Sequence, residues 1–137
     1  MRLHKDIKTE LIRTLPLFAD CTPAEIAEVA AIADEIDLQA GRVLAQENAV
    51  GREFVAIVEG TATVQHGDDV IATLHAGDFF GEIALMTGQR RIATVVATTA
   101  VHALVIEGHA FVRLMEDAPL IRAKVELAMA ERLEAAG

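Results

Sequence analysis

The chain of 137 residues has no serine, tryptophan or tyrosine, one cysteine and three prolines. Without serine it cannot be a serine hydrolase, and neither Thr87 nor Thr94 stands beside a base that would activate it instead. Cys21 alone cannot form an intramolecular disulfide, and with no basic cluster around it, it reads as a small packed thiol rather than a nucleophile. Positive charge is scarce: 12 Lys plus Arg against 21 Asp plus Glu give a formal charge of -9. The net field repels polyanions, so neither DNA binding by this chain nor attachment to an anionic membrane is expected. The longest apolar runs, such as Phe54 to Val58 and Val101 to Ile106, are strand-length and far short of the roughly 20 residues of a membrane span. Met1-Arg2-Leu3-His4-Lys5-Asp6 lacks the apolar run of a signal peptide, which makes the cytoplasm the expected location. His66, His75, His102 and His109 occur without a His-x-His or His-Glu-x-x-His spacing, so a jelly-roll metalloenzyme is not expected and no metal is assigned.

What is present is enough apolar material, 53% of residues, for one domain with a core, taken as 1–137. Ile7, Leu11, Ile12 and Leu15 recur at helical spacing before Pro16. Thr22-Pro23-Ala24-Glu25 reads as a capping box opening a second helix that buries Ile26, Val29, Ala30 and Ala33. These make an N-terminal helical segment, 6–35. From 36 to 106 short runs rich in Val, Ile and Thr are punctuated by glycines, predicting strands at Val43-Leu44, Phe54–Val58, Thr61–His66, Val70–His75, Ile92–Thr98 and Val101–Ile106. His66-Gly67-Asp68-Asp69 is the clearest hairpin turn, and Phe54–Val58, apolar at both parities, should be a central strand. From 107 to 135 helical periodicity returns on Phe111, Leu114 and Met115, breaks at Asp117-Ala118-Pro119, and resumes on Ile121, Val125, Met129 and Leu133. The expected fold class is α+β: an antiparallel β-roll of the jelly-roll kind, flanked by N-terminal helices and two C-terminal helices.

The segment from Gly77 to Val95 interrupts the strand pattern. It holds several glycines, a helical piece over Glu82–Met86 and the adjacent arginines Arg90 and Arg91, walled by Phe80, Ile83, Leu85 and Val95. Amide donors at the start of a short helix with a guanidinium beside them suit one phosphate, and an ionised Glu82 suits a vicinal hydroxyl of a sugar. Together they suggest a nucleotide. The bland reading is a turn glycine, a surface ion pair and core neighbours.

The run Phe80-Gly81-Glu82-Ile83-Ala84-Leu85, followed by Arg91-Ile92-Ala93-Thr94-Val95, resembles the phosphate-binding cassette, here 80–95, of the cyclic nucleotide-binding domain family. Bacterial catabolite activator proteins, regulatory subunits of cAMP-dependent protein kinase and cyclic-nucleotide-gated channels share that domain. The upstream stretch Val43 to Gly60 matches as well, with Asn48 where the family usually has glycine, and the likeness runs from about Leu15 to about Leu133. The resemblance implies a non-enzymatic sensor or regulatory domain that binds a cyclic mononucleotide, cAMP before cGMP, and signals through its C-terminal helices to an unidentified effector or a second copy. It implies that Arg91 pairs with the phosphate, that Glu82 accepts from the ribose 2'-hydroxyl, and that Gly81, Ile83, Ala84 and the amide of Ala93 line the sugar and phosphate. Ile92 departs from the small or hydroxylated residue usual there and removes a hydrogen bond that a guanine would use. The last helix closes over the base in this family, which points to Val125 and Met129 as base contacts, with Val64, Ile71 and Phe80 as further wall. An apolar stripe there also fits packing on the β block or pairing with another copy. The competing reading is a degenerate fold that binds nothing and serves as an interaction or dimerisation module, with Ile92 as its best support.

Overall fold

The computed structural model describes residues 3–136; Met1, Arg2 and Gly137, the ends of the expected domain and of the segment searched for a signal peptide, lie outside the described residues. Helix α1 (Leu3–Thr14) is followed by a 3-10 turn (Pro16–Phe18) and α2 (Pro23–Ile32). The capping box forms as expected: the Thr22 hydroxyl accepts from the Glu25 amide at 3.2 Å, and the Glu25 carboxylate accepts from the Thr22 amide at 2.8 Å.

The strands are β1 (Ala33–Leu38), β2 (Val43–Ala45), β3 (Glu53–Glu59), β4 (Ala62–His66), β5 (Asp69–Leu74), β6 (Phe79–Phe80), β7 (Thr94–Ala97) and β8 (Val101–Glu107). Helix α3 (Glu82–Thr87) lies between β6 and β7, and α4 (Gly108–Asp117) and α5 (Pro119–Ala136) follow β8. The strands form two antiparallel four-stranded sheets, ordered β1-β8-β3-β6 and β2-β7-β4-β5, which is the expected β-roll.

Most strand bounds differ from the sequence reading by a residue or two, and three differences bear on the fold. The N-terminal helical segment ends at Ile32 rather than 35, because Ala33 already pairs with Ile106 as the first residue of β1. That strand is at a sheet edge and carries Asp34, Glu35 and Asp37, so it has no apolar run to betray it; acidic residues on an edge oppose pairing with other chains. Strand β7 begins at Thr94 rather than Ile92, since Ile92 and Ala93 bend away from the ladder beside Arg91. The two-residue edge strand β6 is new.

Strand β3 is interior, and both of its faces are buried because two cores meet on it. Phe54 and Ala56 join a helical core with Ile12, Ile26, Phe111 and Ile121, whereas Val55 and Ile57 join the core between the sheets with Phe80, Val95 and Ala103. Phe54 stacks on Phe111 of α4 at 4.4 Å and meets Phe79 of β6 at 5.4 Å. Helix α5 is fixed near its start by fully buried Ile121 and Val125, and by Lys124, whose Nζ lies 2.9 Å from both the Pro16 carbonyl and the Asp20 carboxylate.

Candidate functional site

Local conformation creates the site. Gly81 ends β6 and caps α3 with φ at +99°, a left-handed conformation that a side chain resists. A Cβ there would also strike the Glu53 carbonyl and lie 3.0 Å from Arg91 Nη1, so the bare backbone lets the guanidinium approach. Asn48 takes φ of +70° in the loop after β2, a conformation asparagine tolerates, and the loop is tied by two backbone hydrogen bonds of 2.8 Å, from the Asn48 amide to the Arg91 carbonyl and from the Arg91 amide to the Ala49 carbonyl.

Between the roll and α5 lies a cavity of about 490 Å³, inside the range of about 300–1,000 Å³ typical of small-molecule sites. Gly81, Glu82, Ile83, Ala84, Arg91, Ile92 and Ala93 all line it, as do Val64, Ile71 and Phe80. Val125 and Met129 do not line it. Val125 is wholly buried in the helical core, and Met129 is half-buried away from the lining. The residue of α5 that reaches the cavity is Arg132, absent from the sequence reading. A step of four residues drifts around a helix of 3.6 residues per turn. From Ile121 and Val125 the true inward face continues to Ala128 and Arg132, which leaves Leu133 40% exposed. Val95 lines it as the sequence suggested, and Ala45, His66, Ala72 and Leu74, which were not anticipated, complete the lining.

The charged groups have distinct environments. The Glu82 side chain is 1% exposed and is held by Arg132, whose Nη1 donates to Oε1 and Oε2 at 2.7 and 2.6 Å. Arg132 also donates through Nη2 to the Phe79 carbonyl and sets its guanidinium over the Phe79 ring, 5.0 Å from the centroid. Arg91 is 8% exposed, donates to the Glu53 carbonyl at 3.2 Å, and has no carboxylate at ion-pair distance among the described residues. Burial lowers its pKa from the ordinary arginine value, against the more distant pull of Glu53 and Glu82. The site therefore holds a desolvated cation lacking a counter-anion, beside a carboxylate that already has its partner. Arg90 points elsewhere and donates to the Asn48 carbonyl. Among the described residues no group of three His, Cys, Asp or Glu side chains gathers to hold a metal.

The family model described as the cyclic nucleotide-binding domain matches residues 35–118, more than half of the chain. The chain belongs to the cyclic nucleotide-binding domain family. As a member of that family it is 34% identical over 123 residues to a cyclic nucleotide-gated potassium channel of Rhizobium etli, covering 90% of this chain and 34% of the channel. It is 32% identical over 115 residues to a cAMP-dependent protein kinase regulatory subunit of Mycosarcoma maydis, covering 77% of this chain and 22% of the subunit. This cyclic nucleotide-binding domain thus spans about a third or less of those relatives. Among solved structures, cAMP-bound PfPKA-R superposes with a TM-score of 0.78 at 25% identity, over 85% of this chain and 40% of that one. The regulatory domain of Toxoplasma gondii PKA, co-crystallised with cAMP, superposes with a TM-score of 0.80 over 90% of this chain and 49% of that one; at 22% identity it supports the fold. These relatives are regulatory subunits and channels, and no helix among the described residues is long and apolar enough to cross a membrane.

Proposed function

We propose that this domain is a cytoplasmic sensor of cyclic mononucleotide, with cAMP the preferred ligand, and that it reports occupancy through α4 and α5. The observation that carries the reading is Arg91: a buried guanidinium on a cavity wall without a counter-anion awaits one, and a cyclic phosphate supplies one negative charge. Glu82 is placed to take the ribose hydroxyl while keeping Arg132, since a carboxylate has about four acceptor positions. Gly81, Ile83, Ala84 and Ala93 offer backbone to the sugar and phosphate, and Val64, Ile71 and Phe80 offer apolar wall to the base.

The output follows from the same geometry. Glu82 is the residue that the ligand would share with α5, and Leu85 of α3 abuts Gly108 at the start of α4. A ligand that reorganises α3 changes the weight of the Arg132 contact and so the population of docked α5. The effector is a protein or domain that reads the position of α5. Pairing of two copies through the outer side of that helix, where Leu120 and Leu127 are exposed, is one form such an effector can take. The degenerate-module reading is disfavoured because Ile92 lines the cavity without closing it.

The test is calorimetry with cAMP and cGMP on the wild type and Arg91→Met. Truncating a buried charged partner typically costs about 2 to 5 kcal/mol, so binding should weaken by roughly thirty-fold or more. The ligand-free melting temperature of Arg91→Met should not fall, because the variant removes a desolvated charge. Undiminished affinity would refute the phosphate assignment.

A further inference from the structure

Among the described residues four polar side chains line the cavity: Glu82, Arg91, Arg132 and His66. Three are accounted for, since Arg132 holds Glu82 and the Phe79 carbonyl, and Arg91 holds the Glu53 carbonyl and faces the anion position. His66 ends β4, on the strand of Val64, where the lining is otherwise aliphatic. Its Nδ1 lies 3.2 Å from the Ile92 carbonyl and 3.4 Å from Glu47 Oε2. Both neighbours only accept, so Nδ1 carries the hydrogen. Glu47 is itself fixed by the Gly67 amide at 2.9 Å, which ties the hairpin turn to the ring. In that tautomer of the ring Nε2 is a lone-pair acceptor, and it has no hydrogen-bond partner among the described residues.

We propose that His66 is a specificity-determining residue that reads the substituent at position six of the purine, accepting a hydrogen bond from an amino group and opposing an oxo group. The proposal rests on the cyclic-nucleotide reading above and adds the feature that reading lacks, a polar contact for the base. Ile92, beside the ring, offers an aliphatic side chain where a hydroxyl would read guanine, so its carbonyl orients His66 while His66 performs the discrimination. Adenine presents a donor at position six, whereas guanine and hypoxanthine present an acceptor; facing Nε2, the latter places two lone pairs against each other.

The test compares three ligands by calorimetry in one buffer: cAMP, cIMP, and the cyclic phosphate of purine riboside, which has hydrogen at position six. Wild type should favour cAMP over cIMP by about three- to tenfold, the scale of one partly solvated hydrogen bond. His66→Ala should bring that ratio to within about twofold and leave the purine riboside ligand unaffected. The His66 side chain is 67% exposed, so the variant should fold, which circular dichroism checks. His66→Gln, with an amide oxygen able to accept, should restore part of the preference. An equal cAMP and cIMP affinity in wild type, or an unchanged ratio in His66→Ala, overturns the proposal while the sensor reading stands on the binding itself. Failure of all three ligands to bind wild type overturns both.

Discussion

Removing the Arg132 side chain is the most informative perturbation of the ligand-free protein. Arg132→Ala deletes two charge-assisted hydrogen bonds to Glu82, one to the Phe79 carbonyl and a cation over the Phe79 ring. Breaking a fully buried ion pair by removing one partner costs about 3 to 5 kcal/mol. The Arg132 side chain is 32% exposed, however, and sits in the last turns of α5, which can yield locally. The scale of hydrogen bonds to a charged group, about 1.5 to 3 kcal/mol, is therefore the better guide, with about 2 kcal/mol expected. For a domain of this size that lowers the melting temperature by roughly 5 to 10 °C. The chain has no tryptophan or tyrosine, so unfolding in urea is followed by helical circular dichroism. Glu82→Gln and the double variant complete a cycle whose coupling energy should exceed about 1 kcal/mol. Faster amide exchange at 126–134 in Arg132→Ala should accompany it. A coupling below about 0.3 kcal/mol would refute the argument that the pair docks α5.

Two further predictions concern the rest of the fold. His102 of β8 is held between Asp37 at 2.8 Å and Glu35 at 2.9 Å, and these contacts, the Asp37 hydrogen bond foremost, raise its pKa above the ordinary histidine value. A raised folded pKa contributes stability that is complete below the unfolded value near about 6.5 and is lost as pH rises through the folded value, so His102→Gln should be most destabilising in mildly acidic buffer. Urea midpoints of the two proteins should converge toward alkaline pH; a gap independent of pH would contradict the clamp. On α5, Ile121→Ala should cost about 2 to 5 kcal/mol and Leu133→Ala within about 0.5 kcal/mol, because only the first is buried. Equal losses in urea melts would mean that the helix presents another face.

The run from Gly81 to Arg91 was legible because its residues lie close together in sequence and resemble a family motif, and the fold brings Gly81, Glu82 and Arg91 to one cavity. The strand with two apolar faces was legible for a similar reason: Phe54 to Ile57 leave no parity free for water, and the two cores follow. The edge strands β2 and β5 were legible, whereas the edge strands β1 and β6 were not. The acidic residues of β1 suit its position at a sheet edge and mask its alternation, and β6 is too short to have a pattern. The α5 contact was misassigned because reading every fourth residue follows a line that winds off the inward face, and because the side chain that arrives there is charged rather than apolar. His66 was visible as a strand end, a turn residue and a histidine without metal-ligand spacing; its approach to Ile92 joins positions far apart in the chain.

The grip of Lys124 on the Pro16 carbonyl and on Asp20 makes its neighbourhood a fulcrum for α5. The portion from there to Arg132, about 12 Å at 1.5 Å per residue, is then a lever arm whose far tip alone is latched to the cassette. Unlatching would swing that tip farthest and the pivot hardly at all, so a label near Arg132 would travel while one beside Ile121 stayed still. The N-terminal turn, braced against the same pivot, would feel the torque without being touched by any ligand.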